Sequence, residues 1–169
     1  MRFSQIVHPW PPLCDADSKI LILGTIPSPK SREMGFYYGH PQNIFWKTLA
    51  EVLDVPAPPY DVPARRAFAL SRRVALWDVL HSCRIEGASD DSIKYPVPNK
   101  FRPLLDKTKI AYIFTTGKKG TELFRTLCEE EAGMRSIYLP STSPANRATQ
   151  KKPEFMEQWA QVAAALTRG

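Results

Sequence analysis

Four short apolar runs place the strongest constraint on this chain: KILIL at residues 19–23, VALW at 74–77, IAYIF at 110–114 and SIYL at 136–139. Each is near-continuously apolar rather than alternating. A strand of that kind is covered on both faces, as in a parallel sheet packed between helices. Helical patterns fill the intervals. One covers about residues 43–53, with Phe45, Trp46, Leu49, Val52 and Leu53 along a face. Others cover about residues 64–71, 120–131 and 153–167, and Pro153 suits the first turn of the last. This alternation, with right-handed crossovers, predicts a three-layer α/β/α fold around a four-stranded parallel sheet. No linker, repeat or low-complexity tract divides the 169 residues, so one domain over residues 1–169 is expected. Residues 56–63 and 87–100 read as long loops within it.

Composition excludes several classes. The chain is 43% apolar and 11% aromatic, which rules out a disordered or fibrous protein. Its formal charge of +6 fits a polyanionic partner or a membrane surface, and fits equally well a soluble protein with a mild Lys and Arg excess. Residues 1–12, MRFSQIVHPWPP, lack the apolar stretch of a signal peptide, and no run of 18 apolar residues occurs. A cytoplasmic protein without a membrane partner is therefore expected. Cys14, Cys83 and Cys128 form no CxxC pair and read as free thiols in a reducing compartment. His8, His40 and His81 are dispersed without HExxH spacing, so neither a metal nor another cofactor is expected.

Open α/β sheets bind ligands at the carboxyl ends of their strands. Those ends read GTIPSP at 24–29, DVLHS at 78–82, TTGKK at 115–119 and PSTSPANR at 140–147. Small polar residues, Gly and Pro let backbone amides approach a phosphate or a flat ring. Lys118, Lys119, Arg147, Lys151 and Lys152 follow the last two ends. On this topology they form a basic rim suited to nucleic acid. The phosphate loop GxxxxGK[ST], the dinucleotide fingerprint GxGxxG and the nucleophile elbow GxSxG are all absent. Cys83 lies two residues after His81, only a weak hint of a cysteine hydrolase.

Three segments carry a family likeness. GTxPS at 24–28, GFYYGHPxNxFW at 35–46 and STSPAN at 141–146 resemble the uracil-DNA glycosylase superfamily, most closely its hypoxanthine-DNA (deoxyinosine) glycosylase branch. The HPxNxFW stretch is also shared with the mismatch-specific uracil glycosylases. The likeness extends from about His8 to the last helix. It implies a monomeric enzyme, without a cofactor, acting on DNA that contains deaminated bases. Such an enzyme flips the base into a pocket, hydrolyses the N-glycosidic bond and leaves an abasic site.

The resemblance also assigns roles. Tyr38 would stack on the base, with Thr25, Ile26, Thr116 and Ser141 completing its pocket, and Asn43 would be catalytic. Ser28, His40, Ser143, Pro144, Ala145, Asn146 and Arg147 would meet the DNA, and the topology, not the resemblance, adds Lys118 and Lys119 of the basic rim. Departures from the family pattern are informative. Many members place Asp or Asn at the position of Ile26 to hold the attacking water. The hypoxanthine branch lacks that residue and uses an Asn matching Asn43. Ser141 replaces a His that steadies the leaving base, Ala145 a Leu wedge, and Thr116 an Asn that selects uracil. From the residues alone, Asn43 also suits the cap of the following helix, and Tyr37 suits the core. Asp90, Asp91 and Asn99 read either as a capped, solvated turn or as substrate contacts. Two rival classes remain open: a non-catalytic DNA-binding relative and a hydrolase of free nucleosides.

Overall fold

The computed structural model describes residues 3–168. Its centre is a parallel sheet in the order β3-β2-β6-β7, formed by β2 (Ile20–Gly24), β3 (Val74–Asp78), β6 (Tyr112–Thr116) and β7 (Ser136–Leu139). The strands fall within two residues of the four apolar runs, because the apolar residues do face helices on both sides. In β2, Ile20 and Ile22 enter one core, Leu21 and Leu23 the other, and none is exposed.

Helices α2 (Phe45–Val52), α3 (Val62–Ser71) and α8 (Pro153–Thr167) supply Phe45, Leu49, Phe68, Trp159 and Val162 to the first core. The second core takes Leu104 and Leu105 from α4 (Arg102–Asp106), Leu123 and Phe124 from α5 (Lys118–Leu127), and Ala132 from α6 (Glu129–Ala132). The fold is the expected three-layer α/β/α arrangement. Short helices α1 (Pro29–Met34) and α7 (Arg147–Gln150) lie near the strand ends, and a 3₁₀ turn covers Pro144–Asn146. Of the three free thiols, Cys83 and Cys128 are buried and Cys14 is half-buried. Among the described residues, no helix is long and apolar enough to cross a membrane.

One expectation is corrected. Residues 87–100 are not a long loop. They form most of β5 (Ser89–Pro98), which pairs antiparallel with β4 (Leu80–Glu86), while β4 pairs with β1 (Ser4–Val7). This second sheet, β1-β4-β5, buries Ile6, Leu80, Cys83 and Ile85 against the second core. Its hairpin turns at Gly87 and Ala88, and Gly87 has φ +58, a conformation that a tight hairpin turn requires. Three helix starts also move, among them that of α3, expected from residue 64 and beginning at Val62. The helix expected from residue 43 begins at Phe45, and the one expected from residue 120 begins at Lys118, directly after Gly117.

Candidate active site

A cavity of about 330 Å³ opens at the carboxyl ends of the central strands. Thr25, Ile26, Ser28, Tyr38, His40 and Asn43 line it from one side. Thr116, Ser141, Ser143, Pro144 and Ala145 line it from the other. The two loops are tied together, because the Ile44 amide donates to the Thr142 carbonyl at 3.2 Å. Asn146, Arg147, Lys118 and Lys119 lie outside the cavity lining.

Tyr38 is built to present a flat face. Its ring stacks on Phe45 with centroids 3.8 Å apart and planes 8° off parallel. Phe45 is fully buried, so one face of the tyrosine is fixed against the core. Tyr38 also has φ +52, a strained conformation for a bulky residue. Its neighbour Tyr37 turns inward, 3% exposed, and donates its hydroxyl to the Pro11 carbonyl at 3.0 Å. The Tyr38 hydroxyl is buried and has no hydrogen-bond partner among the described residues. Burial, and then the nearby Asp78 carboxyl, hold that phenol well above its ordinary range.

Asn43 combines a structural bond with a vacant donor. Its Oδ1 accepts from the Phe45 amide at 2.9 Å, capping the start of α2 from the residue before Ile44. That bond fixes the orientation of the amide. The Nδ2 group is left without a protein partner among the described residues, in a side chain that lines the cavity. The group offered to a ligand is thus a donor.

Other residues keep less freedom. Thr116 donates its hydroxyl to the Leu23 carbonyl at 3.0 Å, which leaves only lone pairs for a ligand. Ser141 Oγ accepts from the Ser143 amide at 3.1 Å. The Ser141 carbonyl is held by Asn146 Nδ2 at 2.9 Å and Gln150 Nε2 at 3.1 Å, so Asn146 braces the loop. Ser143 caps the 3₁₀ turn by accepting from Ala145 at 3.2 Å, and Ser28 caps α1 by accepting from Ser31 at 3.1 Å. His40 Nδ1 accepts from the Gln42 amide at 3.0 Å.

A buried pair behind the cavity wall, of which Asp78 lines the cavity, was not legible in the sequence. His8 Nε2 lies 2.7 Å from Asp78 Oδ2, with side chains only 2% and 6% exposed. His8 Nδ1 faces the Trp10 carbonyl at 2.8 Å. Asp78 lines the cavity, and its Oδ1 has no hydrogen-bond partner among the described residues. Gly24 makes room for it, because a Cβ there would fall 2.5 Å from that oxygen. Asp78 stands at the end of β3, opposite Gly24 in the register. A carboxylate directly after an apolar strand was the one signal available. Its partner lies 70 residues away in sequence.

Lys118, Arg147, Lys151 and Lys152 are exposed and Lys119 is half-buried. None of the five takes part in a salt bridge among the described residues. Lys118 and Lys119 occupy the first turn of α5, where positive charge opposes the helix dipole. That placement disfavours the free helix and favours an arriving anion.

A family model described as the uracil DNA glycosylase superfamily matches residues 11–164. A protein named hypoxanthine DNA glycosylase from Methanosarcina barkeri (strain Fusaro / DSM 804) is 32% identical over 143 residues, or 84% of this chain and 89% of its own. One of the same name from Methanosarcina acetivorans is 30% identical over 151 residues, or 89% and 94%. A solution NMR structure from M. acetivorans, provisionally named a uracil DNA glycosylase, aligns with a TM-score of 0.78 at 28% identity. It covers 95% of this chain and 98% of its own.

Proposed function

The chain belongs to the uracil DNA glycosylase superfamily, and from that premise we propose that this monofunctional DNA glycosylase excises deaminated bases, hypoxanthine before uracil, leaving an abasic site. The observation that carries the reading is a juxtaposition in one cavity. The clamped ring of Tyr38 offers a stacking plane, and Asp78 Oδ1 offers a hydrogen-bond acceptor without a partner. Deamination converts the ring nitrogen beside the altered carbon from a lone-pair acceptor into an N–H donor. Hypoxanthine N1–H and uracil N3–H can donate to Asp78. Adenine and cytosine would turn a lone pair toward the carboxylate. A site built around such a bond rejects analogues that lack it.

The energetics fit base flipping. Extraction costs a few kcal/mol, and stacking on an aromatic face returns roughly 1–3 kcal/mol per base. Thr25 and Ile26 shape the pocket beside the base, the Ser141 hydroxyl can donate to it, and Thr116 faces it with lone pairs. The protein acts as a monomer on DNA. The loop of Ser143, Pro144 and Ala145 follows the backbone near the flipped nucleotide, with Ser28 and His40 across from it.

The test is a set of oligonucleotides, each carrying one modified base, incubated with excess enzyme and then cleaved with alkali at abasic sites. Strand breaks are expected at hypoxanthine first and uracil second. Intact strands throughout would return the chain to a DNA-binding role, and release of base from free deoxyinosine alone would make it a nucleoside hydrolase.

Phosphate contact by the basic rim predicts steep salt dependence. Each contact contributes a log–log slope of about −0.9 for duplex DNA. Replacing Lys118 and Lys119 together by glutamine is expected to flatten the slope by up to roughly two units. An unchanged slope in binding titrations would move the DNA face elsewhere.

A further inference from the structure

Hydrolysis at C1′ needs a group to orient the attacking water and accept its proton, and the residues beside the end of β2 do not supply one. Ile26 is aliphatic. Asn43 is a neutral amide that cannot take the water's proton, and its oxygen already accepts from the Phe45 amide. Asp78 meets His8 through one carboxylate oxygen and, on the reading above, the base edge through the other. A second carboxyl enters the cavity from the β4–β5 hairpin. Asp90 is the second residue of β5, and the turn at Gly87 and Ala88 carries it to the end of β2. There Thr25 Oγ1 donates to Asp90 Oδ2 at 3.4 Å. The hairpin thus brings a carboxylate beside residue 26 from a distant part of the chain.

We propose, resting on the glycosylase reading above, that Asp90 is the general base that orients the attacking water and takes its proton. In the step, a lone pair on the water oxygen forms the bond to C1′. The C1′–N bond breaks, and its electron pair leaves with the base. One water proton passes to the Asp90 carboxylate. Solvent then removes that proton, and the departing base anion takes one from solvent, so protons and charge balance.

The surroundings of Asp90 suit the role. Asp90 is exposed as a residue, but it lines the cavity and its carboxyl reaches the Thr25 hydroxyl. Burial pushes that carboxyl up from the ordinary Asp range. Thr25 opposes the rise, Asp91 and Asp78 add to it, and Lys119 opposes it. The Cys83 thiol is raised by burial and by this carboxyl, and Arg32 opposes that rise. A carboxylate of raised pKa is a stronger base once ionised. Only the ionised form can accept the proton, so excision falls as pH drops through the Asp90 titration and levels off above it.

The experiment is single-turnover excision of hypoxanthine from DNA by the wild type, Asp90→Asn and Asp90→Glu, followed from acid to neutral pH. The asparagine retains an oxygen for Thr25 and sits on an exposed strand, so folding is preserved. Thermal melting and duplex binding verify this. Asp90→Asn is expected to lose about 10²–10⁴-fold in rate, and its residual rate should not change over the range where the wild type rises. Asp90→Glu should recover part of the rate and the pH dependence. A wild-type rate in Asp90→Asn, or a slowed variant that keeps the wild-type pH limb, overturns the role of Asp90. A wild type that leaves every modified strand intact removes the glycosylase reading as well.

Discussion

Replacing Asn43 by alanine is expected to slow single-turnover excision by about 10²–10³-fold, the usual loss for one donor aimed at developing charge. Folding and duplex binding should survive. The side chain performs two separable tasks. Its oxygen accepts from the Phe45 amide, and loss of such a cap costs roughly 0.5–2 kcal/mol. Its Nδ2 group faces the cavity and can donate to the water, the sugar or the departing base. An interaction made only in the transition state lowers the rate and spares ground-state binding. Asn43→Asp separates the two tasks, because a carboxylate still caps Phe45 but has no proton to donate at neutral pH. Aspartate should therefore restore the melting temperature without restoring excision. A folded Asn43→Ala protein that excises at the wild-type rate would leave Asn43 as a helix cap alone.

The same residue illustrates how far the sequence could be read. Asn43 and Tyr38 lie within one short segment, so a local motif was sufficient to find them. The central strands were legible because helices cover both faces, and uninterrupted apolar runs follow from that. The small antiparallel sheet was hidden for the opposite reasons. In β4 the buried residues Leu80, Cys83 and Ile85 do not alternate strictly, because bulges shift the register against β5. β5 is a largely exposed edge strand with polar residues and two prolines, which reads as a loop. The start of α5 was misplaced because Lys118 and Lys119 run against the usual charge preference of a helix N-terminus. The contacts that matter most for chemistry, His8 with Asp78 and Thr25 with Asp90, join residues 70 and 65 positions apart. Only the paired sheets bring them together, so no local pattern could reveal them.

Asp78 provides the sharpest test of base selection. Asp78→Ala removes the acceptor proposed for hypoxanthine N1–H and uracil N3–H. A hydrogen bond to a charged group contributes about 1.5–3 kcal/mol, so excision of either base should fall by roughly ten- to 150-fold. The substitution also strands His8 Nε2 in a buried site, at a cost of about 1–3 kcal/mol in stability. A loss of activity by itself would thus be ambiguous, and Asp78→Asn resolves it. The asparagine amide can donate to His8 Nε2 while His8 Nδ1–H donates to the Trp10 carbonyl. Its oxygen then remains beside Gly24, still facing the cavity and still able to accept. Asp78→Asn should therefore stay folded and excise within about tenfold of the wild-type rate, since one neutral acceptor replaces a charged one. Single-turnover rates on hypoxanthine and uracil strands, taken well below each variant's melting temperature, check both expectations. Equal rates for wild type and a folded Asp78→Ala would mean that the base edge is read elsewhere in the pocket. The His8–Asp78 pair would then serve only to join the β1 segment to the end of β3.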